Sequence, residues 1–154
     1  AAQSKGKPMS EKTSATSPEK VAEIHEALIF AMVTIAAVDR EISDNELQRI
    51  GRIVSNLPVF RDFNTDSLVQ TAEACGNMLS GEDGLEKVLH KIGTAIPHRL
   101  RETTYALAVE IAAADLSVSQ EEARFLELLA DRLELDQLNT VAIERGARAR
   151  HVVI

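Results

Sequence analysis

The amino-acid sequence predicts an all-α fold, a bundle of six to seven helices with two pseudo-symmetric helix-loop-helix repeats. Apolar residues recur at helical spacing along most of the chain, and no segment alternates apolar and polar residues as a strand would. Aromatic residues make up only 3% of the chain, so the core must consist mainly of alanine, leucine, isoleucine and valine. One stretch also occurs twice, because residues 33–57 and 109–133 align without gaps and share 8 identities.

The chain divides into a tail and one helical domain. Residues 1–16 are small, polar and aperiodic, which predicts a flexible tail. Residues 17–150 carry the helical periodicity and suit a single domain with a substantial core. The periodicity predicts helices over about 17–39, 44–57, 65–79, 84–95, 97–115, 119–133 and 137–149.

Prolines mark three of these boundaries. Ser17-Pro18 is typical of an N-cap followed by proline in the first turn, so the first helix should begin there. Pro58 should close the second helix, because proline cannot donate the backbone hydrogen bond that would continue it. Pro97 suits the first turn of the fifth helix.

The charge distribution restricts the class of partner. The net charge is −7, yet residues 1–20 carry four lysines and two glutamates, which leaves 13 basic and 22 acidic side chains in the rest of the chain. An acidic body repels phosphate backbones and attracts cations or basic protein surfaces. We therefore expect no nucleic-acid ligand.

Cysteine usage and hydropathy predict a cytoplasmic protein. Cys75 is the only cysteine, so no internal disulfide can form, and a reducing compartment is compatible with the sequence. No apolar run approaches the roughly 20 residues that a membrane-spanning helix needs, and the sequence begins without a signal-peptide pattern. We expect no direct membrane span.

The residue patterns predict no enzymatic activity. The sequence contains no P-loop, no G-x-G-x-x-G and no H-E-x-x-H motif, and its four histidines are not spaced as metal ligands. Cys75 falls on the apolar face of its helix without an evident histidine or aspartate partner, so we expect a buried side chain rather than a nucleophile. An enzyme that uses paired carboxylates is the least favoured alternative.

Each copy of the repeat carries a helix-capping pattern. Ser43 to Glu46 and Ser119 to Glu122 both read S-x-x-E, in which serine accepts from the third backbone N–H and glutamate reaches back to the N–H of the serine. Helix capping therefore accounts for these serines and glutamates without any ligand.

Capping does not explain the aspartate of each copy. Asp39 and Asp115 lie near the C-terminal end of the preceding helix, where the helix dipole disfavours negative charge. The simpler interpretation is that each accepts hydrogen bonds from the following turn. The alternative is cation binding, because four oxygen donors lie within residues 39–46, although the spacing is not that of an EF-hand.

The arrangement of apolar helix, A-A-x-D, I/V-S-x-x-E and second apolar helix occurs twice, and the long intervening helix begins with Pro97-x-x-x-Arg101. This arrangement resembles the TerB-like family, named after the tellurite-resistance protein TerB, over residues 20–145. The resemblance implies an all-α bundle with internal pseudo-two-fold symmetry and a non-enzymatic role in tellurite resistance and wider stress responses. Related domains occur in other modular proteins, including a membrane-anchored co-chaperone, so a protein partner, including a membrane-associated one, is implied.

The resemblance also implies a shared acidic site that binds a divalent cation such as Ca²⁺ or Mg²⁺. Carried over residue by residue, its positions are Asp39, Glu46, Asp115 and Glu122. The family commonly has glycine after each aspartate, whereas Arg40 and Leu116 stand here, and Arg40 is placed to pair with a neighbouring acid. These departures count more against metal than against the fold. The alternative is a structural interaction module whose acidic surface binds a basic partner without metal.

Overall fold

The computed structural model describes residues 16–115 and 117–154, and all regular structure in these ranges is helical. The all-α prediction is therefore confirmed for the described chain. The predicted tail, residues 1–16, lies outside the described residues except for Thr16. The α-helices are α1 (Pro18–Ala37), α2 (Asp44–Asn56), α3 (Leu68–Ser80), α4 (Gly84–Ala95), α5 (Arg101–Ala113), α6 (Gln120–Arg132) and α7 (Gln137–His151).

Helix α1 is the centre of the bundle. It packs against α2, α3, α4, α5 and α6, and every residue from Ala27 to Ala36 is buried. A helix that is apolar on nearly all sides is expected in the middle of a domain rather than at its surface. The buried polar exception is Thr34, whose hydroxyl lies 3.4 Å from the sulfur of Cys75 on α3.

Local sequence signals set most of the helix ends. Ser17 caps α1 by accepting from the backbone N–H of Lys20 at 3.2 Å, and Pro18 is the first helical residue, as predicted. Pro97 does not stand in the first turn of α5: it precedes a 3₁₀ turn over His98–Leu100, and α5 begins at Arg101. The prediction of one α-helix from Pro97 was therefore wrong by about one turn, a usual error at helix ends.

Gly84 fixes the turn between α3 and α4. Asp83 adopts a left-handed conformation with φ of 53°, and the backbone of Gly84 then lies directly against the end of α3. A Cβ atom at Gly84 would lie 2.2 Å from the carbonyl oxygen of Leu79. Only glycine permits this close approach.

The linkers that follow α2 and α6 differ in length and content. Residues 57–67 join α2 to α3 and contain two 3₁₀ turns, Pro58–Phe60 and Thr65–Ser67, whereas residues 133–136 alone join α6 to α7. In the longer linker Phe60 is buried, and its ring centroid lies 5.4 Å from that of His25 on α1. The shorter linker begins at Leu133, whose side chain is also buried.

The 76-residue offset of the repeated sequence also relates contacts elsewhere in the bundle. Cys75 on α3 contacts Thr34 on α1. The residues 76 positions after these two, His151 on α7 and Glu110 on α5, also contact each other. Thus α3 packs on α1 as α7 packs on α5. The pseudo-symmetry of the two complete halves stays a prediction.

Candidate functional site

Both repeated loops form the predicted capping box. In the first loop, between α1 and α2, Ser43 Oγ accepts from Glu46 N at 3.1 Å and Glu46 Oε1 accepts from Ser43 N at 2.9 Å. In the second loop, between α5 and α6, the corresponding distances between Ser119 and Glu122 are 3.0 and 2.9 Å. Both glutamates are buried, because each side chain turns back over the start of its helix.

Arg40 occupies the remaining oxygen of the first glutamate. Its guanidinium donates to Glu46 Oε2 at 2.9 Å, and only 7% of the Glu46 side chain is exposed. The expected pairing of Arg40 with a neighbouring acid is therefore confirmed. One carboxylate oxygen of Glu46 accepts from a backbone N–H and the other from the Arg40 guanidinium, so Glu46 has little capacity left to ligate a metal ion.

The second loop lacks this positive charge. Leu116 holds the position of Arg40 in the sequence, although its own structure lies outside the described residues. Among the described residues Glu122 makes no ion pair, and the capping bond uses only its Oε1. The two loops therefore share their caps but differ in the charge beside the glutamate.

Asp39 and Asp115 are exposed just beyond the ends of α1 and α5. Within the described chain neither carboxylate accepts a hydrogen bond or forms an ion pair, so the expected hydrogen bond from the following turn is not found there. An exposed carboxylate is hydrated and needs no protein partner to offset the unfavourable helix dipole. Solvation thus replaces the compensating group that the sequence led us to expect.

The four predicted ligands do not converge. In residues 16–115 and 117–154 no three histidine, cysteine, aspartate or glutamate side chains come together as a metal-binding group. Calcium requires six to eight oxygen ligands, and the buried glutamates are engaged in their own caps. Of the four residues, Asp39 and Asp115 hold exposed carboxylates, whereas Glu46 and Glu122 serve the helix starts.

Cys75 has the properties of a core residue. It is fully buried, and burial raises the pKa of its thiol to about 11 despite the hydrogen bond with Thr34. The thiol therefore stays protonated at neutral pH and is a poor nucleophile. His25 is also buried, and its Nε2 lies 2.9 Å from the carbonyl oxygen of Val59. Its ring therefore anchors the linker between α2 and α3 and is not free to bind a ligand.

Sequence reasoning missed the polar groups that hold α7 against α5. Glu110 on α5 binds both Arg150 and His151, and the hydroxyl of Tyr105 donates to Glu144. Burial and the Glu144 carboxylate raise the pKa of Tyr105, so its hydroxyl remains protonated. One signal was available: Glu110 interrupts the apolar run from Leu107 to Ala113, where an unpaired acid would be costly.

Comparisons with known proteins agree with this architecture. A family model described as "Tellurite resistance protein TerB" matches residues 25–145, which is more than three quarters of the chain. No curated protein and no solved structure gives a significant match. None of the helices in the described part of the chain has the length and hydropathy needed to cross a membrane.

Proposed function

Because the chain belongs to the TerB family, whose model covers residues 25–145, we propose that it is a non-enzymatic, partner-binding domain that contributes to tellurite and stress resistance. The two repeated loops are its proposed binding elements. The observation that carries this proposal is the exposure of Asp39 and Asp115, which stand unpaired in the described chain at corresponding positions of the two loops. Exposed charges of this kind guide encounter with a surface of opposite charge.

The capping boxes support a binding role because they fix the backbone at Ser43 and Ser119, just before α2 and α6. Each box ties the loop backbone to the first turn of the following helix through two hydrogen bonds. A rigid loop loses less conformational entropy when a partner binds. The proposed partner is a protein with a basic surface, in the cytoplasm or at the membrane.

A cell-based experiment tests this function. We expect Asp39→Lys/Asp115→Lys to abolish the tellurite resistance that the wild type restores to a strain lacking its own copy of the gene. Both positions are exposed, so the variant should fold and keep its melting temperature. A control variant, Glu73→Lys on exposed α3 surface, should restore resistance. Full resistance with the double variant would exclude the loop aspartates from the function.

Divalent-cation binding at the second loop is a second candidate function. It is favoured by the sequence, in which Leu116 takes the place of Arg40 and Asp115 and Glu121 belong to the same short stretch, and by Glu122, which makes no ion pair in the described chain. Of the predicted shared site of Asp39, Glu46, Asp115 and Glu122, only Asp115 and Glu122 then remain as candidate ligands, because Arg40 neutralises Glu46 in the first loop.

Calorimetric titration with Ca²⁺, Mg²⁺, Mn²⁺ and Zn²⁺ tests this candidate. A cation that binds the folded state must also raise the melting temperature. We expect Asp115→Ala to remove that rise and Asp39→Ala to leave it unchanged. No rise in the wild type, or an equal rise in the Asp115→Ala variant, would exclude the second loop as a cation site.

A further inference from the structure

An open groove lies between α6 and α7. Both helices pack on α5, but they make little contact with each other. The space between them has a volume of about 670 Å³ and is lined by residues of α5, α6 and α7, with Val118 of the second loop at one end and Leu135 of the short linker among the other lining residues. Its apolar floor includes Val109 and Ala112 of α5 and Leu126 of α6.

In the first half of the bundle, helices α1 to α3, the longer linker packs beside α2. The linker over residues 57–67 contacts α2 and places the buried ring of Phe60 against the helices. At the start of α3, Leu68 also leans towards α2: its Cδ2 lies 3.6 Å from the position a Cβ would take at Gly51. A polypeptide segment that carries an apolar side chain therefore packs beside α2, the helix that corresponds to α6.

The second half differs in its linker and in several side chains beside the groove. Its linker has only residues 133–136, and smaller or polar side chains stand 76 residues after the apolar ones of the first half. In the groove lining, Ala123 replaces Leu47, Ala130 replaces Val54 and Glu144 replaces Leu68, whereas Arg148 is larger than its counterpart Ala72. The small side chains of Ala123 and Ala130 and the short linker together leave room beside α6.

The rim of the groove is charged in a definite pattern. Glu127 and Asp131 lie four residues apart on α6, so both face the same side of the groove. Glu127 is paired with Arg124 of the same helix at 3.2 Å, and both side chains are exposed. Arg148 stands on the opposite wall, on α7, and among the described residues neither Arg148 nor Asp131 has an ion-pair partner. Glu144 lies on the same wall as Arg148 and is held by the hydroxyl of Tyr105.

From these observations we propose that the groove between α6 and α7 binds an amphipathic peptide segment of a partner protein, with apolar side chains on the floor and basic side chains against Glu127 and Asp131. The proposal deepens partner binding as the proposed function, but it assigns a surface separate from the loop aspartates. The linker of the first half supplies the argument for a polypeptide, and the acidic α6 wall supplies the argument for its charge.

A synthetic peptide tests the proposal directly. The probe is a fluorescein-labelled helix of about 14 residues, or four turns, with leucine and phenylalanine along one face and two lysines four residues apart beside it. The matched peptide carries glutamates in place of the lysines. We expect the lysine peptide to bind the full chain with micromolar affinity by fluorescence anisotropy, and the glutamate peptide to bind at least about tenfold more weakly.

Two variants locate the binding. Ala123→Leu/Ala130→Val gives the groove the side chains that the first half has at the corresponding positions, and we expect it to weaken binding at least about tenfold by filling the floor. Glu127→Lys/Asp131→Lys should reverse the preference, so that the glutamate peptide becomes the tighter ligand. Ala142→Leu and Glu73→Lys are matched controls at exposed positions outside the groove lining, and they should bind as the wild type does.

Four results would overturn the proposal. The first is that the lysine peptide does not bind, and the second is that Ala123→Leu/Ala130→Val binds it as tightly as the wild type while the two melting temperatures agree. The third is that dodecylammonium binds in the groove but the peptide does not. The fourth is that sedimentation shows a dimer of this chain whose interface covers the groove. Asp39→Lys/Asp115→Lys should bind the peptide normally. Loss of resistance in cells with normal peptide binding therefore separates the two surfaces.

Discussion

The two halves of the molecule, α1 to α3 and α5 to α7, hold their third helix against the core in different ways. In the first half, buried Cys75 of α3 contacts α1, and Phe60 anchors the linker before α3. In the second half, α7 is held against α5 by the Arg150–Glu110 ion pair, by the contact of His151 with Glu110 and by the hydrogen bond from Tyr105 to Glu144, and it also buries Ala147. The first half is closed by apolar contacts, whereas the second adds charged contacts to its apolar ones.

This difference shows that a repeated motif can conserve its local structure while its surroundings diverge. The hydrogen-bond distances of the two capping boxes agree within 0.1 Å, because each box depends only on residues within the motif. The closure of each half depends on residues outside the motif, where the two sequences differ. Apolar burial is insensitive to pH, whereas ion pairs respond to pH and to salt. The stability of the second half should therefore change more with pH and salt than that of the first.

The largest expected effect concerns the two linkers. We expect Phe60→Ala to lower the free energy of unfolding by about 3 kcal/mol, because it empties a buried aromatic site. Glu134→Gln in the second linker removes only an exposed ion pair with Arg101 and should cost less than about 1 kcal/mol. Urea denaturation of both variants measures the difference. Equal losses would show that the linkers contribute alike.

The second effect concerns the pH dependence of the second half. Burial alone would raise the pKa of Glu110, but hydrogen bonds and charge from Arg150 and His151 hold it below the ordinary value of 4.5. The carboxylate therefore stabilises the fold fully above pH 4.5, and this stabilisation is lost as the pH falls through the lowered pKa.

Glu110→Gln should remove that part of the pH dependence, with a loss of about 1 kcal/mol at pH 7. Melting temperatures of the variant and the wild type between pH 3 and about pH 7 provide the measurement. The matched control is Thr34→Val, at the corresponding position on α1, which should leave the slope against pH as it is in the wild type. A wild-type slope in Glu110→Gln would contradict the assignment.

The smallest effect concerns the loops themselves. Ser43→Ala and Ser119→Ala should each cost about 1 kcal/mol, since each removes one capping bond of equal length. The loops should differ only in their response to salt. Arg40→Gln should reduce the salt dependence of stability slightly, whereas no such ion pair exists for Glu122 in the described chain. Unequal costs for the two serines would break the equivalence of the caps.

Much of the fold was predictable because its signals are local. Helical periodicity, Ser17-Pro18 and the S-x-x-E patterns depend on residues within a few positions of one another, and each gave the observed structure. The start of α5 was misplaced because a 3₁₀ turn also accommodates the residues after Pro97. Local sequence does not distinguish these two helix types at a terminus.

The candidate site was less predictable because it depends on contacts between distant residues. The pairing of Arg40 with Glu46 could be foreseen, since only six residues separate them. The pairing of Glu110 with Arg150 spans 40 residues and could not be inferred from spacing. The groove depends on what the shorter linker fails to cover, and an uncovered space leaves no pattern of its own in the sequence.

The central claim, that charged contacts help to hold α7 in the second half whereas α3 depends on apolar contacts, is tested most directly by native-state amide hydrogen exchange. Opening free energies for α3 and α7 are compared at pH 7 and at about pH 3, each with low and high salt, after correction for intrinsic exchange rates. We predict that acid and salt lower the opening free energy of α7 well below that of α3. Equal changes in both helices, or a selective loss in α3, would contradict the account.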